Sequence, residues 1–84
     1  MASVKWSDDA LRDLEKLDVE IARRVVAKVG WLEKYFETIV PEILHHDLSG
    51  LYKIRVGDYR VVYSMGNRKV ICIEAVDHRS KVYK

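Results

Sequence analysis

Lys53, Arg55 and Arg60 are spaced so that three cations share one surface. They lie in the stretch LYKIRVGDYRVVY, residues 51–63, which reads as two alternating runs joined at Gly57-Asp58. A two-residue turn of this kind suits a glycine, which takes positive φ without penalty. The loop length pairs Val56 with Tyr59, Arg55 with Arg60, Ile54 with Val61, Lys53 with Val62, and Tyr52 with Tyr63. Side chains alternate along a strand, so the hairpin has two distinct faces. Tyr52, Ile54, Val56, Tyr59, Val61 and Tyr63 form the face that buries, and Lys53, Arg55, Arg60 and Val62 form the other. Two arginines directly opposite each other repel, at a cost of about 0.2–1 kcal/mol in a sheet pair. A polyanion lying across the sheet would reverse the sign of that term. Farther on, the polar tail Asp77-His-Arg-Ser-Lys-Val-Tyr-Lys84 adds His78, whose side-chain type titrates near neutrality, beside Arg79, and ends with Tyr83.

The elements that must position these residues are legible in order. Residues 2–6 read as a short strand with Val4 and Trp6 on one face. Ser7 is placed as a helix N-cap, and Asp8 and Asp9 follow where the helix dipole favours negative charge. Ala10, Leu11, Leu14 and Leu17 give a helix over 8–17. Asp18 caps a second helix, predicted to run to about Glu37 on the stripe Ile21, Val25, Val29, Leu32 and Phe36, with Ala22 and Val26 widening it. Pro41 ends or reroutes that helix, and 38–50 is expected to be a loop closing at Ser49-Gly50. Strands are predicted over 51–56, 59–64 and 69–76. Val70-Ile-Cys-Ile73 is apolar on both faces, which suits a central strand. The expected fold is α+β, in the order β-α-α-β-β-β, with an N-terminal helical hairpin packed on one face of a small, mainly antiparallel sheet. The Lys53/Arg55/Arg60 face is then expected to be open to solvent. Trp6, Trp31, Tyr35 and Phe36 read as core or as a surface for a partner.

At 84 residues, with 49% hydrophobic and 33% charged residues, the chain is expected to be one compact domain over 1–84. No apolar run approaches a membrane span, no signal-peptide pattern opens the chain, and the single Cys72 has no partner for an internal disulfide. A cytoplasmic protein is expected. The net charge of +2 hides a division. Residues 1–50 carry 7 Lys+Arg against 10 Asp+Glu, whereas residues 51–84 carry 8 against 3. Basic charge is concentrated in the sheet-forming part, the footprint expected for contact with nucleic acid. His45-His46 has no partner at metal-ligand spacing and reads as loop or RNA periphery, so no metal or other cofactor is expected.

The sequence resembles the RelE/ParE superfamily of toxins from type II toxin–antitoxin pairs. The likeness runs through Leu48-Ser-Gly50, Tyr52-Lys-Ile-Arg55, Gly57-Asp-Tyr-Arg60-Val-Val-Tyr63, Val76-Asp-His-Arg79 and Val82-Tyr83. Within that superfamily, RelE-like members cut messenger RNA in the ribosomal A site, and ParE-like members poison DNA gyrase. The RelE-like pattern implies basic residues at Lys53, Arg55, Arg60 and Arg79 and a tyrosine at Tyr83, and all five positions are suitably occupied. Arg55 stands where RelE itself has lysine. The chain stops just after Tyr83, so the C-terminal helix of some relatives is not expected.

The resemblance implies a metal-independent endoribonuclease in which the RNA 2′-hydroxyl attacks the adjacent phosphorus. Arg60 and Arg79 would clamp the phosphoryl oxygens, with Arg55 as a third cation, because the guanidinium fork matches phosphate and stays charged. Lys53 or His78 would serve as base and Tyr83 as acid or stacking group. The partners implied are a cognate antitoxin and the ribosome with its A-site mRNA. Neither membrane nor DNA contact is expected, except to DNA through the antitoxin complex. Two alternatives stand beside this reading: a ParE-like gyrase inhibitor, and a catalytically inactive module binding RNA or antitoxin. Read singly, Lys53 and Arg55 would equally suit a strand kept soluble, His78 an ordinary surface histidine, and Tyr83 a packing residue.

Overall fold

The computed structural model describes residues 2–44 and 50–78. Its elements are β1 (Ser3–Trp6), α1 (Asp8–Glu15), α2 (Val19–Tyr35), β2 (Glu42–Ile43), β3 (Tyr52–Val56), β4 (Tyr59–Met65) and β5 (Val70–His78). The strands form one sheet in the order β1-β5-β4-β3-β2. β1 runs parallel to β5, and the remaining pairs are antiparallel. The α+β architecture expected from the sequence is therefore present, with the helical pair on one face. Two details are new. A two-residue strand, β2, lies within the segment read as loop, and β5 continues to His78.

Local chemistry accounts for the elements. Ser7 caps α1 by accepting the Ala10 N–H on its Oγ at 3.0 Å, and Asp8 and Asp9 occupy the first turn. Asp18 precedes α2 without a side-chain cap bond. One turn of 3-10 helix over Phe36–Thr38 carries the chain from α2 toward Pro41. The hairpin pairs as the loop length requires, with Gly57 at φ +60°. The Arg24 guanidinium lies against that glycine, its Nη2 only 3.3 Å from where a Cβ would stand. Side chain and backbone thus both call for glycine at the turn.

The core is the interface of helices and sheet. Ala10, Val25, Val29 and Leu32 meet Val56, Val61, Tyr63, Ile71, Ile73 and Val76, with Trp6, Leu14, Leu17, Ile21 and Phe36 packed around them. Val26 is half exposed, and Trp31 and Tyr35 stand 40% and 43% exposed, so these three are not core. Beyond the end of β1, the edge of β5 is covered by side chains. Ser7 Oγ donates to the Glu74 carbonyl at 3.1 Å, and Asp13 Oδ2 accepts the Val76 N–H at 3.0 Å. Unpaired strand edges invite pairing with other chains, and α1 with its cap removes this one.

A bulge in β5 decides which residues reach each face. Val62 pairs with Ala75 but Tyr63 pairs with Ile73, so Glu74 is the extra residue. Ile71, Ile73 and Val76 consequently all face the helices. Ala75 and Asp77 turn to the opposite face, where simple alternation from Ile73 would have put His78.

Candidate active site

The face away from the helices carries two cross-strand rows. Arg55, Arg60 and Asp77 form one, across β3, β4 and β5, and Glu42, Lys53, Val62 and Ala75 form the next, across β2 to β5. Directly paired residues project to the same side of a sheet, so the register itself assembles this surface. Arg55 and Arg60 are opposed as the hairpin reading requires. Asp77 stands on the far side of Arg60 and places negative charge in the same row. One oxygen of that carboxylate, Oδ1, accepts the N–H of His78 at 2.8 Å.

The face is recessed rather than freely open, which corrects the expectation of a solvated basic surface. Val62 and Leu44 are buried yet lie outside the main core cluster. Lys53 has only 15% of its side chain exposed, and its Nζ lies 3.5 Å from Oε2 of Glu42, itself 63% exposed. The Nε and Nη1 atoms of Arg60 are buried, while Arg55 is exposed. Lys53 and Arg60 are therefore held against the sheet, and Arg55 reaches outward. A cavity of about 220 Å³ opens beside them, lined among others by Lys28, Trp31, Glu42, Lys53 and Arg55.

Of the six expected site residues, the structure brings Lys53, Arg55 and Arg60 together. His78 goes to the other face. It pairs with Tyr59, and the two rings meet edge to face at 5.4 Å and 86°. The β5 bulge is the physical reason. Arg79 and Tyr83 lie outside the described residues, as do His45 and His46. Two carboxylates join the face that sequence reading did not assign to it. Glu42 was missed because β2 is only two residues long, although Val40-Pro-Glu-Ile-Leu44 carries an extended signal. Asp77 was missed because the bulge leaves no mark in the pattern. No group of three or more His, Cys, Asp or Glu able to hold a metal ion occurs among the described residues.

Tyr63 shares the Tyr52 row on the helix side, with ring centroids 5.6 Å apart. Burial pushes its phenol above the ordinary tyrosine value of 10.0, and the nearby Tyr52 and Glu42 add to the rise.

Comparison with known proteins fits this geometry. Residues 4–83 match the family described as the ParE toxin of type II toxin-antitoxin system, parDE. Toxin RelG of Mycobacterium tuberculosis is 33% identical over 85 residues, covering 98% of this chain and 95% of its own length. The chain belongs to the RelE/ParE superfamily of type II toxins. A chain of the toxin–antitoxin complex RelBE2 from Mycobacterium tuberculosis superposes with a TM-score of 0.79 at 32% identity, over 93% of this chain and 98% of that one. A chain of the chromosomal ParDE system of P. aeruginosa gives 0.77 at 16% identity, over 93% and 96%. RelE/ParE relatives from both branches thus share the fold. No helix among the described residues of this toxin is long and apolar enough to cross a membrane.

Proposed function

We propose that this toxin is a ribosome-dependent endoribonuclease that cleaves mRNA in the A site and so stops translation. The observation that carries the proposal is the pair of recessed cations, Lys53 and Arg60, held against the sheet beside the exposed Arg55. Charges held in place and partly removed from water stabilise developing phosphoryl charge at no reorganisation cost during the reaction.

The reaction uses a nucleophile that the substrate supplies. The 2′-oxygen bonds to the adjacent phosphorus, its proton passes to a base, and the bond to the next nucleotide's 5′-oxygen breaks. An acid protonates that oxygen, leaving a 2′,3′-cyclic phosphate and a 5′-hydroxyl. Arg60 and Arg55 receive the phosphoryl oxygens, with Arg79 as the further clamp and Tyr83 as the acid or stacking group. Lys53 and Glu42 form the proton-handling pair, in which the carboxylate is the member able to take the 2′-proton and the ammonium is a fourth cation. His78, packed on Tyr59 across the sheet, is left to support the strand end. A chain of this size cannot surround a message, so the ribosome holds the mRNA in line while the toxin supplies charge and proton transfer. The toxin's partner is a cognate antitoxin. Relatives described as complexes of RelB-type antitoxins with RelE-type toxins support this. An acidic antitoxin segment would neutralise the basic face by folding along it.

A second reading, inhibition of DNA gyrase, is favoured by the match to the ParE toxin family. Purified toxin is to be assayed for cleavage of message on translating ribosomes and for inhibition of gyrase supercoiling. The nuclease reading requires message ends with unaffected supercoiling. Intact message with blocked supercoiling would establish the gyrase reading, and neither activity would mark an inactive binding module.

A further inference from the structure

A second basic surface adjoins the candidate active site. On α2, Arg24, Lys28, Trp31 and Tyr35 recur at helical spacing, one residue ahead of the buried stripe Val25, Val29 and Leu32 and the partly buried Phe36 that follows the helix. This flank faces the edge of β3. Because β2 pairs only with Tyr52 and Lys53, no strand among the described residues covers that edge beyond Lys53. A cavity of about 430 Å³ lies there, lined by Arg24, Lys28 and Trp31 from α2 and by Arg55, Val56 and Gly57 from the hairpin. It shares Lys28, Trp31 and Arg55 with the 220 Å³ cavity that opens onto Lys53 and Glu42. The two form one groove running from the basic face around the sheet edge onto the helix.

Its composition points to one class of occupant. Arg24, Lys28, Lys53 and Arg55 line it, Glu42 is the one carboxylate lining it among the described residues, and Glu42 is engaged by Lys53. Trp31 is 40% exposed, and Lys28 Nζ sits 4.0 Å from its ring centroid. Tyr35, 43% exposed, continues the aromatic track 6.1 Å away. Cations following a backbone with aromatic rings beside them are what single-stranded nucleic acid requires. Arg24 and Trp31 are seven residues apart, about 10 Å along the helix axis, enough to follow more than one phosphate.

We propose that this groove is a subsite for the single-stranded RNA that flanks the cleaved bond, with Arg24 and Lys28 on its phosphates, Arg55 at its junction with the scissile phosphate, and Trp31 against a base. The proposal rests on the nuclease reading for its choice of RNA, and its test is independent of cleavage. An uncleavable 2′-O-methyl oligouridylate is titrated against the toxin, following fluorescence anisotropy and Trp31 emission, with a dinucleotide as the short probe. The longer RNA is expected to change tryptophan emission, and Trp31→Phe to abolish the change. Arg24→Ala with Lys28→Ala should flatten the log–log salt dependence by roughly 0.7 per cation and weaken only the longer RNA. Arg12→Ala, an exposed cation on α1, should leave both probes unaffected. Wild-type salt dependence in the double variant, or unaltered Trp31 emission at saturation, would overturn the proposal. So would a polyglutamate peptide that alters Trp31 emission where RNA does not, since that marks the groove as a protein-docking edge. Should the groove behave as expected while ribosome-bound message stays intact, the groove stands as a single-stranded RNA site and the nuclease reading falls.

Discussion

Replacing Glu42 by glutamine separates two roles that the structure allows this carboxylate. The substitution keeps shape and removes charge. Glu42 Oε2 lies 3.5 Å from Lys53 Nζ, with side-chain exposures of 63% and 15%. The gross attraction at an effective dielectric of 20 is roughly 5 kcal/mol. With the carboxylate mostly in water, the net worth of the pair falls to about 0.2–1 kcal/mol. If Glu42 only holds Lys53 in place, its loss therefore slows cleavage by no more than about fivefold. If it accepts the 2′-hydroxyl proton, the loss is about 10²–10⁴-fold. Single-turnover cleavage of message on purified ribosomes measures the difference, and urea unfolding should show a stability change within about 1 kcal/mol. We expect the larger effect at nearly unchanged stability. A drop of fivefold or less would refute proton acceptance by Glu42 and leave it a tether for Lys53.

Three further outcomes concern the scaffold. Leu32→Ala empties a fully buried position between α2 and the sheet and should cost about 2–5 kcal/mol in chemical denaturation. Ser7→Ala removes both the α1 cap and the donor to the Glu74 carbonyl; unfolding should show a loss of about 1 kcal/mol or somewhat more. Tyr63 is held neutral by burial, so its contribution to stability is complete below pH 10 and lost as pH rises from the ordinary tyrosine value toward its higher native one. In ultraviolet titration one tyrosine should ionise late, and Tyr63→Phe should remove that late step.

Most of the fold was legible because local rules agreed with one another. The Gly57-Asp58 turn fixed the hairpin register, and the Ser7 cap and the Val25/Val29/Leu32 stripe fixed the helices. From that register alone, Lys53, Arg55 and Arg60 fell on one face. What escaped reading depended on long-range pairing. Nothing local marks Glu74 as a bulge; it is stabilised where Ser64 Oγ donates to its carboxylate at 2.6 Å and Ser7 donates to its carbonyl. That one inserted residue moves His78 to Tyr59 and brings Asp77 beside Arg60. Likewise, β2 has too few residues to show alternation and exists because β3 offers it an edge. Trp31 and Tyr35 read as core or as a surface for a partner; they lie just off the buried stripe, exposed, and line or extend a groove.

Arg60 is where the functional account is most exposed to test. Primer extension on translating ribosomes, comparing wild type with Arg60→Ala at equal folded concentration, reads its role directly. If the partly buried guanidinium clamps the scissile phosphate, cleavage should fall about 10²-fold or more, as for loss of one strong transition-state donor. Cleavage at the wild-type rate would contradict the assignment and take Arg60 out of the mechanism.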